Sequence, residues 1–287
     1  MFSPRIQAVT LAAAALATAC TGGPELEGDS SGHLAGRIAM LTLERCFEIA
    51  ANPRPTCSES VQAAFADYQG MDADSVAHLL GAELPGSAQG CSVVSERVAA
   101  IPRTQPGIDL LDLGHLQLQR GPLSDELWPR TFPEVGGVAA GVFYAGDLTP
   151  VSEPSYYAFV ADGSADAAGF RVSVQAPADV AALTLDGQPA RMVQQASRDQ
   201  SLQLRWQRGA PRDVVEVELR AAAGRLVCTQ RDAGHLELPS AMLQALPPAS
   251  TARLTIRRLR IQSFDAPGFD LAYVKLASAL TTELVLQ

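Results

Sequence analysis

Lysine is almost missing from this chain. Lys275 is the single example among 22 basic residues, and all the others are arginine. Acidic residues number 31, and the formal net charge is −9. Binding to nucleic acid needs clustered Lys and Arg to neutralise phosphates, so this balance argues against a nucleic-acid partner. Histidine is scarce as well: His33, His78, His115 and His235 are the four, far apart in the chain. There is no His-Glu-x-x-His pair and no Gly-x-Ser-x-Gly elbow. Glycines 136, 137 and 141 carry no following Gly-Lys-Ser/Thr, so there is no phosphate loop. Asp162-Gly163-Ser164-Ala165-Asp166 lacks a closing glycine and reads as a turn. Asp72 and Asp74 begin no calcium loop, because the rest of the twelve-residue ligand set is missing. The cysteines include no close Cys-x-x-Cys pair, so zinc is not expected. The sequence implies no cofactor, no metal and no catalytic set, and the expectation is a protein that is not an enzyme.

Long apolar runs are also missing after residue 19, so no membrane-spanning helix is expected there. The start of the chain differs. Arg5 precedes an apolar run from Ile6 to Ala19, too short to cross a roughly 30 Å hydrocarbon core. A charged start, a short apolar stretch and small residues at the cut form a secretory signal. Ala17-Thr18-Ala19-Cys20 resembles the lipobox of bacterial lipoproteins, with Leu16 one place further out than the usual leucine. That resemblance implies removal of residues 1–19 and attachment of diacylglycerol and fatty acyl chains such as palmitate at Cys20. It also implies an outer-membrane destination, since Thr21 is not the aspartate that retains many such proteins at the inner membrane. Residues 20–34 are small, acidic and polar, and read as a tether. The mature 268 residues lose only Arg5 among the charges and carry a net −10. They are enough for one large domain or two modest ones.

Setting Cys20 aside leaves Cys46, Cys57, Cys91 and Cys228, an even number that suggests two disulfides in an exported chain. Cys46 and Cys57 enclose ten residues, including Asn52-Pro53-Arg54-Pro55, which suits a turn closed by a bridge. Cys91 would then join Cys228. Pairing of Cys46 or Cys57 with Cys91 stays open if residues 35–90 add strands to the same sheet.

Period-two alternation dominates the rest. Phe170, Val172 and Val174 share one strand face, as do Leu202, Leu204 and Trp206. Val215, Val217 and Leu219 alternate with Glu216, Glu218 and Arg220. Ala252, Leu254 and Ile256 alternate with Arg253, Thr255 and Arg257, and Ala272, Val274 and Leu276 with Tyr273 and Lys275. Such patterns put one face on a core and one in water. About ten short strands separated by Pro and Gly predict a mainly β fold: an antiparallel β-sandwich, Ig-like or related, with a barrel as the rival. One or two short helices are expected, near Asp72–Glu83, with Val76, Leu79 and Leu80 on one face, and over Ala241–Leu246 behind a Ser240 cap. Residues 35–48 lean to strand, and 61–68 fit either state. The expected organisation is a signal (1–19), a lipidated tether (20–34), a cysteine-containing segment (35–90), which the main domain can include, and the sandwich (91–287).

Residues 202–259 carry a Leu204-Arg205-Trp206 strand, a Leu226-Val227-Cys228 strand, an Asp232-Ala233-Gly234 turn, a proline-led short helix after Leu238-Pro239-Ser240, and a Leu254-to-Arg258 strand. With Cys91-Ser92-Val93 and Leu111-Asp112-Leu113-Gly114-His115 in front, this resembles a module of uncharacterised secreted lipoproteins of myxobacteria, over about residues 91–260. The resemblance implies a fold and a compartment, and a Cys91–Cys228 bridge within one module. It implies no catalytic residue.

Two surface features are candidates for interaction. Arg253, Arg257, Arg258 and Arg260 form a basic cluster, suited to an anionic partner or to cross-strand pairing with Glu216 and Glu218. Tyr144 and Tyr156, in an aromatic zone with Trp128, Phe132, Phe143 and Tyr157, suit either sugar stacking or core packing. The function expected is that of a membrane-anchored cell-envelope lipoprotein, a non-enzymatic structural or protein-interaction component of an outer-membrane or surface assembly. Carbohydrate or other ligand binding is the alternative, with polysaccharide as the ligand, and a hydrolase comes third. Whether the domain faces the periplasm or the outside is left open.

Overall fold

A computed structural model describes residues 34–49, 56–81, 90–94, 107–132, 138–149, 156–222, 224–246 and 251–287. The chain opens with a long hairpin, β1 (Ala35–Glu48) and β2 (Thr56–Gln69), then helix α1 (Ala73–Leu79), β3 (Gly90–Val94) and β4 (Gly107–Leu110). A second hairpin, β5 (Leu116–Arg120) and β6 (Leu123–Thr131), leads to β7 (Ala139–Leu148), β8 (Tyr156–Gly163) and β9 (Ala168–Gln175). Then come β10 (Thr184–Leu185), β11 (Gln188–Pro189), β12 (Val193–Ala196), β13 (Leu202–Arg205), β14 (Val214–Ala221), β15 (Gly224–Arg231) and β16 (His235–Leu238). Helix α2 (Ser240–Gln244) and two long strands, β17 (Thr251–Ser263) and β18 (Leu271–Leu286), end the chain.

The large sheet runs β3-β15-β14-β17-β18-β1-β2-β4-β7-β6-β5-β8-β9, and a small one runs β11-β10-β13-β16. The result is a β-sandwich-like fold with no closed barrel among the described residues. The sheet is mixed rather than purely antiparallel, because β1 and β12 lie parallel to β18 and β4 lies parallel to β7. β1 sits between β18 and β2, so the N-terminal hairpin is part of the large sheet.

β6 is the hinge of the sandwich. Its first half pairs with β5 and its last four residues with β7. Side chains of β5, β8 and β9 therefore meet those of β1, β2 and β18 in one core: Leu41, Leu43, Phe65, Leu118, Phe159, Val172 and Val274. A second core lies between the small sheet and the β15-β14-β17-β18 region, with Leu202, Leu204, Val217, Leu226, Leu254, Ile256 and Leu284. Both cores share the same long strands. On β18, Ala272, Val274 and Leu276 enter the first core and Leu284 and Leu286 the second. Burying one such Leu or Val stabilises by roughly 1.5–3 kcal/mol.

A third, smaller cluster lies on the opposite face of the sheet under α1. Asp72 caps that helix by accepting from the Ser75 N–H at 2.8 Å. The buried residues are Ala73, Val76 and Ala77, whereas Leu79 points to solvent, so the expected Val76–Leu79–Leu80 face is rotated. Helix α2 begins after Pro239, and Ser240 is its first residue rather than a side-chain cap. Gly141 has φ +120, and a Cβ there would lie 2.2 Å from the Leu110 carbonyl oxygen, so the close approach of β4 to β7 requires glycine.

Candidate functional site

The four arginines of β17 do not form a surface patch. Strand parity divides them. Ala252, Leu254 and Ile256 face the second core, and Arg258 and Arg260 continue that inward series. Arg258 is 1% exposed and Arg260 4%. Arg253 and Arg257 stand on the other face, where Arg257 pairs with Glu216 at 3.1 Å, Glu218 at 2.7 Å and Glu44 at 3.1 Å. Its reach to Glu44 on β1 crosses β18 at Ala277 and Ala279, whose small side chains leave room. Glu218 is therefore buried under an ion pair rather than in a wet strand face. Burial alone would raise its carboxyl, but donation from Arg257 and Arg220 outweighs that and holds it below the usual range. Arg253 alone of the four is exposed.

Tyr144 is likewise a core residue, fully buried, donating to Asp112 at 2.6 Å and accepting from the Leu113 N–H at 2.9 Å. Tyr156 is 58% exposed on β8. Cys91 and Cys228 are joined, directly opposite each other between β3 and β15. Cys46 is a free thiol beside Thr281 Oγ1, and burial raises its pKa. The expected Cys46–Cys57 bridge is not formed. Cys46 is free, and the hairpin register sets it opposite Ser58 rather than Cys57. Cys20 and His33 lie outside the described residues. Among the described residues no three His, Cys, Asp or Glu side chains gather to hold a metal, and no helix is long and apolar enough to cross a membrane.

The inward arginines belong to a buried polar seam that divides the two cores. Arg258 Nε donates to Asp232 at 2.7 Å, and its Nη atoms donate to the carbonyls of Ala178, Asp179 and Gln207. Asp232 also accepts from Trp206 Nε1 and from the N–H groups of Gly209 and Gly234. Burial would raise the Asp232 carboxyl, but these donors and Arg258 hold it below the usual carboxylate range. Arg260 pairs with Asp213 at 2.7 Å and donates to the carbonyls of Gln175 and Ala176. Arg45 and Ser278 both donate to the Asp179 carboxylate. Arg45 is the cross-strand neighbour of Glu59, which accepts from Arg120 and from the Tyr157 hydroxyl, both at 2.9 Å. Arg120 ends the chain of contacts on Asp125 at 2.6 Å.

The connector from β9 to β10 passes through this seam, and Arg258 and Arg260 fill three of its backbone carbonyls, those of Ala176, Ala178 and Asp179, besides that of Gln175 at the end of β9. An irregular segment buried between two cores needs such partners. Every charge in the seam faces an opposite one, so the arrangement is a fastener rather than a poised acid–base pair. Sequence reading missed Asp179, Asp213, Asp232, Arg45, Glu59 and Arg120. The available signal was parity: Arg45 continues Ala39-Leu41-Leu43, and Arg120 continues Leu116-Leu118.

Two further surface features stand out among the described residues. His115 lies 2.9 Å from Glu126 and 3.5 Å from Asp162, a half-exposed pairing of the kind worth about 0–1 kcal/mol. On the face that carries α1, a groove of about 230 Å³ is lined by Met40, Thr42, Gln62, Leu80, Phe132 and Phe143. Trp128, 62% exposed, pairs with Ala145 and so stands on the same face as Phe143.

No protein-family model matches the chain, and no curated protein matches it. Among solved structures, the Fcho1 Mu homology domain of Danio rerio with bound Eps15 peptide is similar over 88% of this chain and 97% of that chain, at 9% identity and a TM-score of 0.22.

Proposed function

We propose that this protein is a bacterial cell-envelope lipoprotein, held on the outer membrane by lipid at Cys20, whose β-sandwich-like domain serves as a non-enzymatic structural or protein-interaction module. The observation that carries the reading is the Arg5-to-Cys20 segment: a charged start, a short apolar run and Ala19-Cys20 at the cut. The short polar stretch before Ala35 gives the domain a tether to that anchor. The likeness of residues 91–260 to myxobacterial secreted lipoproteins belongs to the same reading. Membrane fractionation tests it: wild-type protein pellets with outer membranes and is released by detergent, whereas Cys20→Ser leaves an unacylated precursor. Equal fractionation of the two contradicts the reading. Cross-linking of the anchored form then identifies the envelope or surface partner.

Binding of a neutral polysaccharide is a second reading, favoured by the Phe132–Phe143 groove with Gln62, Thr42 and the exposed Trp128. Aromatic faces stack on sugar rings, and an amide and a hydroxyl orient them. Titration of the protein with envelope polysaccharide should quench the fluorescence of Trp128 but not in Trp128→Phe. Absence of any change removes this reading.

A further inference from the structure

Strand β3 is an unusual sheet margin. Among the described residues it is the terminal strand of the large sheet and pairs only with β15, over five positions from Arg225–Val94 to Thr229–Gly90. Two of its described side chains bury little: Ser92 is exposed, and Val93 is 44% exposed. The exception is Cys91, half-buried against the second core and bonded to the fully buried Cys228. Hydrophobic burial therefore contributes little to holding β3 in place, and the covalent bridge contributes much. By contrast β15 is anchored independently. Leu226 is fully buried in the second core, and eight residue pairs join β15 to β14. The bridge ties residues 137 apart in sequence, yet it ends on a strand whose Ser92 and Val93 side chains are exposed.

We propose that the Cys91–Cys228 disulfide is a redox latch: its reduction releases β3 and uncovers the β15 edge, while the rest of the sheet stays folded. This goes beyond the anchoring role and does not depend on it. The co-reactant is a dithiol. One thiolate of the dithiol attacks Cys91 Sγ, the more accessible sulfur, and forms a mixed disulfide. Cys228 leaves as a thiolate and takes a proton from water. The second thiol of the reagent then closes its own disulfide and frees Cys91, so two electrons pass from the dithiol to the protein bridge. Released, Arg225–Thr229 present unpaired main-chain donors and acceptors, the kind of edge to which extended chains add.

Hydrogen exchange on the full chain, read by mass spectrometry with and without dithiothreitol, tests the latch. The expected result is exchange at least about tenfold faster in 90–94 and 224–231, with 214–221 and 251–263 unchanged, and reversal on reoxidation. Unchanged exchange in 224–231 after reduction overturns the proposal, because β3 then holds without the bridge. Faster exchange spread through β14 and β17 overturns it too, because the bridge is then a global staple. Iodoacetamide labelling mapped to Cys91 and Cys228 verifies the reduction, and resistance of the bridge to dithiothreitol in native buffer is a third contradicting result.

Discussion

Arg258→Met is the sharpest perturbation of the polar seam. The guanidinium is 1% exposed and donates to four oxygens: Asp232 Oδ2 and the carbonyls of Ala178, Asp179 and Gln207. Methionine of similar length removes all four bonds and leaves the Asp232 charge buried. Breaking a buried pair from one side costs about 3–5 kcal/mol. Folded domains are stable by roughly 5–15 kcal/mol, so this is a large share. At about 2–4 °C per kcal/mol for a chain of this size, the melting temperature should fall by roughly 6–20 °C. Arg258→Lys should rescue little, since one ammonium cannot span the same acceptors. Adding Asp232→Asn to Arg258→Met should recover only part, because the three carbonyls remain orphaned. Arg253→Met, on the same strand but exposed, should change stability by no more than about 0.5 kcal/mol. Thermal denaturation followed by circular dichroism reads all four variants. If Arg258→Met melts within about 2 °C of the wild type, the seam is not what fixes the connector between the cores.

Further outcomes follow from the same contacts. Asp232 and Glu218 sit below their usual values, so their stabilisation is present above the unfolded pKa near 4 and is lost as pH falls through the folded value. Asp232→Asn should accordingly flatten the acid limb of a stability–pH curve, and an unchanged limb would contradict that. Burial raises Tyr144, Tyr157 and Tyr273, with Asp112 adding to the rise at Tyr144 and Glu59 at Tyr157. Their stabilisation is complete below about pH 10 and is lost above it, so tyrosinate absorbance of the folded protein should lag that of the urea-denatured chain. Gly141→Ala meets the Leu110 carbonyl at a positive φ and should cost at least about 1–3 kcal/mol by thermal melting, with Gly107, which has no positive φ and open space at its Cβ, as the control.

The mainly β fold was legible because alternation survives in almost every strand that buries one face: Phe170-Val172-Val174, Val215-Val217-Leu219 and Ala252-Leu254-Ile256 all point inward. β6 was hidden because only Leu127 of its nine residues is buried, so no alternation exists to read. The parallel neighbours of β18 were hidden for another reason. β1 and β18 stand at opposite ends of the chain, and no local pattern encodes a pairing of that range. For the β17 arginines the expected cross-strand pairing with Glu216 and Glu218 holds at Arg257, whereas the single surface cluster is divided by parity. Arg257 and Arg258 are adjacent, and adjacent strand residues face opposite sides. Arg257 meets the glutamates of β14 across the sheet, while Arg258 enters the seam. The Cys46–Cys57 bridge failed because eleven positions of separation do not say which residue the hairpin register sets opposite Cys46.

Intact-mass analysis of the mature protein extracted from membranes tests the central claim most directly. The account predicts a chain beginning at Cys20, with residues 1–19 removed and the mass of a diacylglyceryl group and acyl chain on that cysteine. A chain that retains residues 1–19, or one that carries a free thiol at Cys20, contradicts it.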